Sequence, residues 1–200
     1  MNPHGLTFVF AFYTLATLAY LGGFIFSRPV FQRVGLRLVM AGIFVHSIIL
    51  FRFLDSPWAA LHLFFMFLAF AVLLTSVVTG LIFFLQEVQI KSRRLSALFA
   101  RLPALEVIDR IHARALGVGF ILLTLGILSG SAWSLQVTGH FFEGDVKQWW
   151  ALASWGLYLI FLNFRFAAGW RGRRGVLLSL LGFAALVFTF LGVNHKGMTP

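Results

Sequence analysis

The stretch WAALHLFFMFLAFAVLLTSVVTGLIFFLQ, residues 58–86, contains no Asp, Glu, Lys or Arg. An α-helix rises about 1.5 Å per residue, so about 20 apolar residues cross the hydrocarbon core of a bilayer. This stretch is longer than that, and it predicts a membrane-spanning helix that tilts or protrudes. It therefore predicts an integral membrane protein.

Five further apolar stretches predict, together with the first, an all-α bundle of six transmembrane helices. They lie at about 6–26, 36–54, 115–135, 149–168 and 176–193. Hydrophobic residues make up 60% of the chain and charged residues only 11%. Soluble domains carry about 25% charged residues, so an ordinary soluble domain is excluded. Residues 1–200 are expected to form a single transmembrane domain, and the first stretch is interpreted as a span and not as a signal peptide.

The basic residues are distributed unequally between the two sides of these spans, which predicts the topology. Thirteen of the 16 fall on one side: Arg28, Arg33, Arg37, Lys91, Arg93, Arg94, Arg101, Arg110, Arg114, Arg165, Arg171, Arg173 and Arg174. By the positive-inside rule that side is cytoplasmic, so both termini are expected outside. The net charge of +10 is then a topology signal with an attraction to anionic lipid, and no nucleic-acid partner is expected.

Two loops stand out by their length or composition. The inner segment 87–114 is the longest, and apolar residues at helical spacing among its arginines predict a short interfacial helix that ends at Pro103. The external loop 136–148, QVTGHFFEGDVKQ, combines aromatic and acidic residues with a histidine. Before that loop, Gly126 and Gly130 form a G-x-x-x-G pattern that predicts close helix packing.

Histidines near the outer face are the first candidates for chemistry, because ionisable groups are costly in lipid. His46 lies in the outer half of the stretch at 36–54, His62 in the outer part of 58–86, and His195 at the outer end of the last stretch. Neutral imidazole is a common ligand of haem and other metals, although a single such residue often serves packing alone. Of the six histidines, His112 is the one predicted on the cytoplasmic side.

Other site chemistries leave weaker signals. The chain has no cysteine, which excludes disulfides, thiolate metal sites and covalent thioether attachment of a cofactor. His140, Glu143 and Asp145 form a His-x-x-Glu-x-Asp pattern that a metal could use, but acids beside glycine in a loop are usually solvated turn residues. No nucleophile elbow, glycine-rich phosphate loop or His-Glu-x-x-His motif occurs.

Residues 102–133, LPALEVIDRIHARALGVGFILLTLGILSGSAW, resemble the region leading into the core spans of the cytochrome c assembly family. That family includes the CcsA-type, CcmC-type and HemX-type haem-handling proteins. The segments at 144–165, 169–175 and 182–194 are similar to the family pattern as well: GDVKQWWALASWGLYLIFLNFR, GWRGRRG and GFAALVFTFLGVN. His46 followed by Arg52 resembles the family's external-facing histidine and nearby arginine.

Departures from the family pattern indicate a partly eroded site. The tryptophan-rich haem-binding segment usually reads like W-G-x-x-W-x-W-D, whereas residues 140–145 read HFFEGD and keep the final aspartate. Asn163 stands where CcsA-type members have a haem-ligating histidine two residues before an arginine, here Arg165. Members of the family also have a second external histidine further along the chain. In this sequence only His195 lies near that position. These differences favour the small HemX-like branch over a complete cytochrome c synthetase.

The resemblance implies a haem-handling accessory protein of cytochrome c or haem-protein assembly that performs no bond-making chemistry alone. The implied cofactor is haem b near the outer leaflet of a bacterial-type cytoplasmic (inner) membrane. His46 and His195 are the implied axial ligands, His195 mattering more to bound haem than the reserve ligand His62. The other implied cofactor-binding residues are Arg52, Asp145 and Trp150. Arg52 would pair with a propionate, or it is an interfacial arginine paired with Asp55.

Two alternatives remain open at the level of sequence. A membrane regulator or scaffold would bind no haem and act through the basic segment 87–114 on a cytoplasmic partner, such as a haem-biosynthesis enzyme. A quinone- or small-solute-handling protein would use the outer histidines for proton transfer. Implied partners in the leading hypothesis are membrane lipid and other cytochrome c assembly or haem-biosynthesis proteins.

Overall fold

The computed structural model describes residues 15, 19, 29–53, 56–93, 102–167, 169 and 172–192. Within these ranges the chain forms helices and no strand. The helices are α1 (Pro29–Phe53), α2 (Pro57–Lys91), α3 (Leu105–Thr138), α4 (Val146–Phe166) and α5 (Arg173–Gly192). The prediction of an all-α protein is confirmed for this part of the chain.

Each helix contains most of one predicted apolar stretch, and several extend beyond it. α2 continues to Lys91 and α3 begins at Leu105, so the stretches at 58–86 and 115–135 are the apolar parts of longer helices. Among the described residues, α2 and α3 are long and apolar enough to cross a membrane. The stretch at 6–26, apart from Leu15 and Ala19, and most of the predicted interfacial helix lie outside the described residues.

The chain divides into two compact units, Met1–Ala60 and Leu61–Pro200. α1 and the first residues of α2 belong to the first unit, and the remainder of α2 belongs to the second with α3, α4 and α5. The core of the second unit receives side chains from all four of these helices. It consists of Ala69, Leu73, Leu116, Leu123, Tyr158, Phe161, Leu162 and Leu186.

Glycines on α3 allow α2 to approach closely. A Cβ atom added at Gly126 would lie 2.7 Å from Met66 Sδ, and one at Gly130 would lie 2.6 Å from His62 Nδ1. Real Cβ atoms essentially never come within 3.0 Å of another heavy atom, so a side chain at either position would require a shift. The close packing predicted from the G-x-x-x-G pattern is confirmed.

The connection between α3 and α4 is closed at both ends by local hydrogen bonds. Gly139 ends α3 in the left-handed conformation, with φ of 79°, and its N–H donates to Leu135 O at 3.0 Å. Asp145 caps α4 because its Oδ1 accepts the N–H of Gln148 at 2.7 Å. The loop between these caps is therefore anchored at both ends.

Arg165, one of the thirteen basic residues predicted on the cytoplasmic side, is buried. It lies in the last turn of α4 with 7% of its surface exposed, and its Nη2 donates to Asp109 Oδ2 at 2.8 Å. The Asp109 carboxylate on α3 compensates the buried guanidinium, and the cytoplasmic side assigned to Arg165 stays a prediction. Glu106 and Arg110, four residues apart on α3, form an exposed pair with an N–O distance of 3.6 Å.

Candidate functional site

A cavity of about 120 Å³ lies in the second unit, between the α3–α4 loop and the helices α2, α3, α4 and α5. Its walls are largely apolar and aromatic, with a few polar side chains among them. The residues that bear on its chemistry are His62, Gly130, Trp133, Phe142, Lys147 and Gln148. A largely apolar cavity with few convergent polar groups is the usual form of a small-molecule site.

His62 is oriented by the backbone of α3. Its Nδ1 lies 2.8 Å from Gly126 O, and its ring centroid lies 6.1 Å from that of Trp133. A carbonyl oxygen only accepts, so Nδ1 carries the proton and the lone pair of the neutral ring is on Nε2. Proteins commonly orient a metal-ligating histidine in this way, through a hydrogen bond from its other nitrogen to a carbonyl.

The α3–α4 loop forms one wall and is ordered by Gln148. The Oε1 atom of Gln148 accepts the N–H groups of Glu143 at 2.8 Å and Gly144 at 3.0 Å. Phe142 packs edge-on against Trp149, with ring centroids 5.1 Å apart. The side-chain amide therefore holds the loop turn together and places an aromatic ring in the cavity wall.

Both acids of the loop make hydrogen bonds within the protein. Ser134 Oγ donates to Glu143 Oε1 at 2.8 Å, and Asp145 caps α4. His140 is exposed. Across the ranges that the structure describes, no three His, Cys, Asp or Glu side chains are placed to hold a metal ion. The contacts of the two acids therefore support a role in loop structure.

The residues predicted to bind a cofactor are placed differently from one another. His62 lines the cavity, and Asp145 caps the helix whose first turn contributes Lys147 and Gln148 to it. Trp150 packs edge-on against Phe188, with centroids 4.8 Å apart, and is 40% exposed. Two of the other predicted residues belong to α1 of the first unit: His46, which is half-buried, and Arg52, which is in the last turn. His195 lies outside the described residues.

Sequence reasoning missed Lys147 and Gln148 as parts of the cavity and Gly130 as the residue that admits the His62 ring. The G-x-x-x-G pattern was the available signal, because it marked the surface of α3 against which another helix packs. It did not identify the facing residue, since the register between two helices distant in sequence is set by the packing of both.

The chain also matches a known protein family. The family of the Cytochrome C assembly protein matches residues 3–199. The chain therefore belongs to the cytochrome c assembly protein family, and the resemblance inferred from its motifs is confirmed.

Among curated proteins the chain is similar to several named "Cytochrome c biogenesis protein CcsA". It is 40% identical over 93 residues to that of Prochlorococcus marinus (strain MIT 9215), covering 46% of this chain and 30% of the relative. It is 39% identical over 92 residues to that of Mesostigma viride, covering 46% of this chain and 30% of the relative. The chain thus covers less than a third of the length of either relative. Assignment to the HemX-type branch stays a prediction.

Proposed function

We propose that the protein is a haem-handling accessory component of cytochrome c assembly. The observation that carries the proposal is His62, whose Nδ1 contacts Gly126 O at 2.8 Å in a cavity with aromatic walls. This contact leaves the lone pair of the neutral ring on Nε2, the nitrogen that would face an iron. Membership of the cytochrome c assembly family supports haem as the cargo.

The residues around His62 fit part of a haem. The cavity of about 120 Å³ is smaller than the roughly 300–1,000 Å³ of most ligand pockets. It would therefore take an edge of the macrocycle, while the exposed side chains of Phe142 and Trp149 supply apolar surface beside it. Lys147, which lines the cavity, would pair with a propionate as a point charge.

The proposal also includes the other residues, the topology and the cofactor that were predicted from the sequence. His46 and His195 are further candidates for axial ligands, and Arg52 is a second candidate for a propionate. Asp145 and Trp150 would support the site through the cap of α4 and an exposed aromatic surface. Six spans with both termini outside, in a bacterial-type cytoplasmic membrane, would place the site near the outer leaflet. Haem b is the proposed form of the cargo, and other assembly proteins are the proposed partners.

The direct test is an absorption spectrum of the full chain purified in detergent. We expect a Soret band in the wild type that shifts or is lost in His62→Ala, because an aliphatic side chain cannot ligate iron. His140→Ala, which changes an exposed loop histidine, is the matched control and should keep the spectrum. A colourless wild-type preparation would instead favour the regulator or scaffold acting through segment 87–114.

The same spectra rank the candidate ligands. The family resemblance predicts that His195→Ala perturbs bound haem more than His62→Ala does. Soret position and retained haem per protein should be compared for these two variants and His46→Ala. A greater loss in His62→Ala would assign the main ligand to the cavity on α2.

A further inference from the structure

A second polar cluster lies near the beginning of α3, away from the cavity. Its members are Asp109 and His112 of α3, Arg165 of α4 and Ser76 of α2. His112 is 1% exposed and Arg165 is 7% exposed, so both are buried inside the protein. The proposed haem function does not use any of these residues.

The hydrogen bonds of His112 fix its tautomer. Nδ1 lies 2.8 Å from Ser76 O, and the hydroxyl of Ser76 donates to His112 O at 3.3 Å. Because a carbonyl oxygen only accepts, Nδ1 carries the proton and Nε2 of the neutral ring is an acceptor. Nε2 is buried, and none of the described residues supplies it with a donor.

The ion pair leaves one further donor and one further acceptor without a hydrogen-bond partner among the described residues. Arg165 Nη2 donates to both Asp109 Oδ2 and Asp109 O, at 2.8 and 3.1 Å. Arg165 Nη1 and Asp109 Oδ1 are buried, and no hydrogen-bond partner for either is found in the described part of the chain. Buried polar atoms without partners are rare and costly, more so on charged groups.

These three atoms match the hydrogen-bonding capacity of one water molecule. A water within reach of all three would accept from Arg165 Nη1 and donate its two hydrogens to Asp109 Oδ1 and His112 Nε2. Asp109 and His112 are three residues apart on α3, which makes them neighbours on one face of the helix. A Cβ atom added at Gly80 would lie 3.2 Å from both His112 Nδ1 and Val176 Cγ1, and one added at Gly175 would lie 3.2 Å from Arg165 Nη1. The His112 ring and the Arg165 guanidinium therefore lie near adjacent residues of α5.

We infer that a single buried water molecule bridges Asp109 Oδ1, His112 Nε2 and Arg165 Nη1. Buried waters typically make about three hydrogen bonds to otherwise unsatisfied groups. A neutral ligand fits better than an ion: a cation would meet the guanidinium, and an anion would meet the carboxylate and the imidazole lone pair. The bound water joins α3 to α4, and the His112–Ser76 bonds extend the connection to α2.

Nuclear magnetic resonance of the ¹⁵N-histidine-labelled full chain in lipid nanodiscs tests this site. The His112 signals are assigned by their loss in His112→Gln. Long-range ¹H–¹⁵N correlations within the imidazole show which ring nitrogen carries the proton. Magnetisation transfer from water to the His112 ring detects a water molecule bound beside it. We expect the Nδ1–H tautomer with transfer from water to the His112 ring.

The double variant Asp109→Leu/Arg165→Leu removes two of the three proposed contacts without leaving an unpaired charge. The transfer to His112 should be lost in this variant and retained in Glu106→Leu/Arg110→Leu, which removes the exposed pair on the same helix. If the Asp109→Leu/Arg165→Leu variant does not fold, Asp109→Asn is the second variant. Its side-chain amide can donate where the carboxylate only accepts, so the magnetisation transfer from water to His112 should weaken. The Nε2–H tautomer, absent transfer in the wild type, or unchanged transfer in the buried-pair variant would each overturn the inference.

Discussion

His62 depends on the residue at position 130 for its orientation. The ring lies against α3 where a Cβ atom at Gly130 would be 2.6 Å from Nδ1. The same nitrogen makes the 2.8 Å contact with Gly126 O. A methyl group at position 130 would therefore push away the nitrogen whose hydrogen bond determines the position of the ring.

We expect Gly130→Ala to destabilise the protein by about 1–3 kcal/mol, because overpacking forces side chains and backbone apart. It should also displace His62 and shift the absorption of bound haem. Gly117→Ala is the matched control on α3, since a Cβ atom there has no heavy atom within 4 Å. Thermal unfolding in detergent measures the difference, and equal unfolding temperatures for the two variants would contradict the expectation.

The buried ion pair gives a second prediction at this scale. Arg165→Leu alone leaves the Asp109 carboxylate without its charge partner and should cost about 3–5 kcal/mol. Replacing both residues by leucine should cost much less, because apolar pairs often substitute for buried ion pairs without loss. Thermal unfolding of the two single variants and the double variant measures the coupling between the residues. Additive effects would show that the pair does not act as a unit.

At the scale of helices, Asp145 determines how α4 begins. Its carboxylate accepts the N–H of Gln148, and Gln148 in turn holds the loop that forms a wall of the cavity. Asp145→Ala should destabilise this end of α4 by about 1 kcal/mol, whereas Asp145→Asn should retain most of the cap. Amide hydrogen exchange at Gln148 measures the effect. Equal protection in the alanine and asparagine variants would argue against a capping role.

The helices were predictable from the sequence to the extent that their side chains are apolar. Uncharged runs long enough to cross a bilayer indicated α2 and α3, but not that α2 continues through a polar turn to Lys91. The Asp109–Arg165 pair was not predictable in this way. The two residues are separated by 56 positions, and the pattern of apolar residues does not indicate which charges of two helices come into contact.

For the whole molecule, the charge distribution predicts its orientation in the membrane. We expect reporter fusions after Ser92 and Gly172 to be cytoplasmic and tags at both termini to be external. Arg165 does not serve as an exposed loop charge, but the remaining basic residues of the same side still favour this topology. A cytoplasmic C-terminus would change the number of spans and move the predicted outer histidines to the other face.

The close contact between His62 and Gly130 also limits how the two positions can evolve. A larger residue at 130 becomes acceptable only when the residue at 62 is smaller, so substitutions at the two sites should show epistasis. In a library that varies both, Gly130→Ala should be less damaging to folding in a His62→Ala background than beside the native histidine. Folding selection alone would then tolerate compensated pairs, whereas selection for a function that requires His62 would eliminate them.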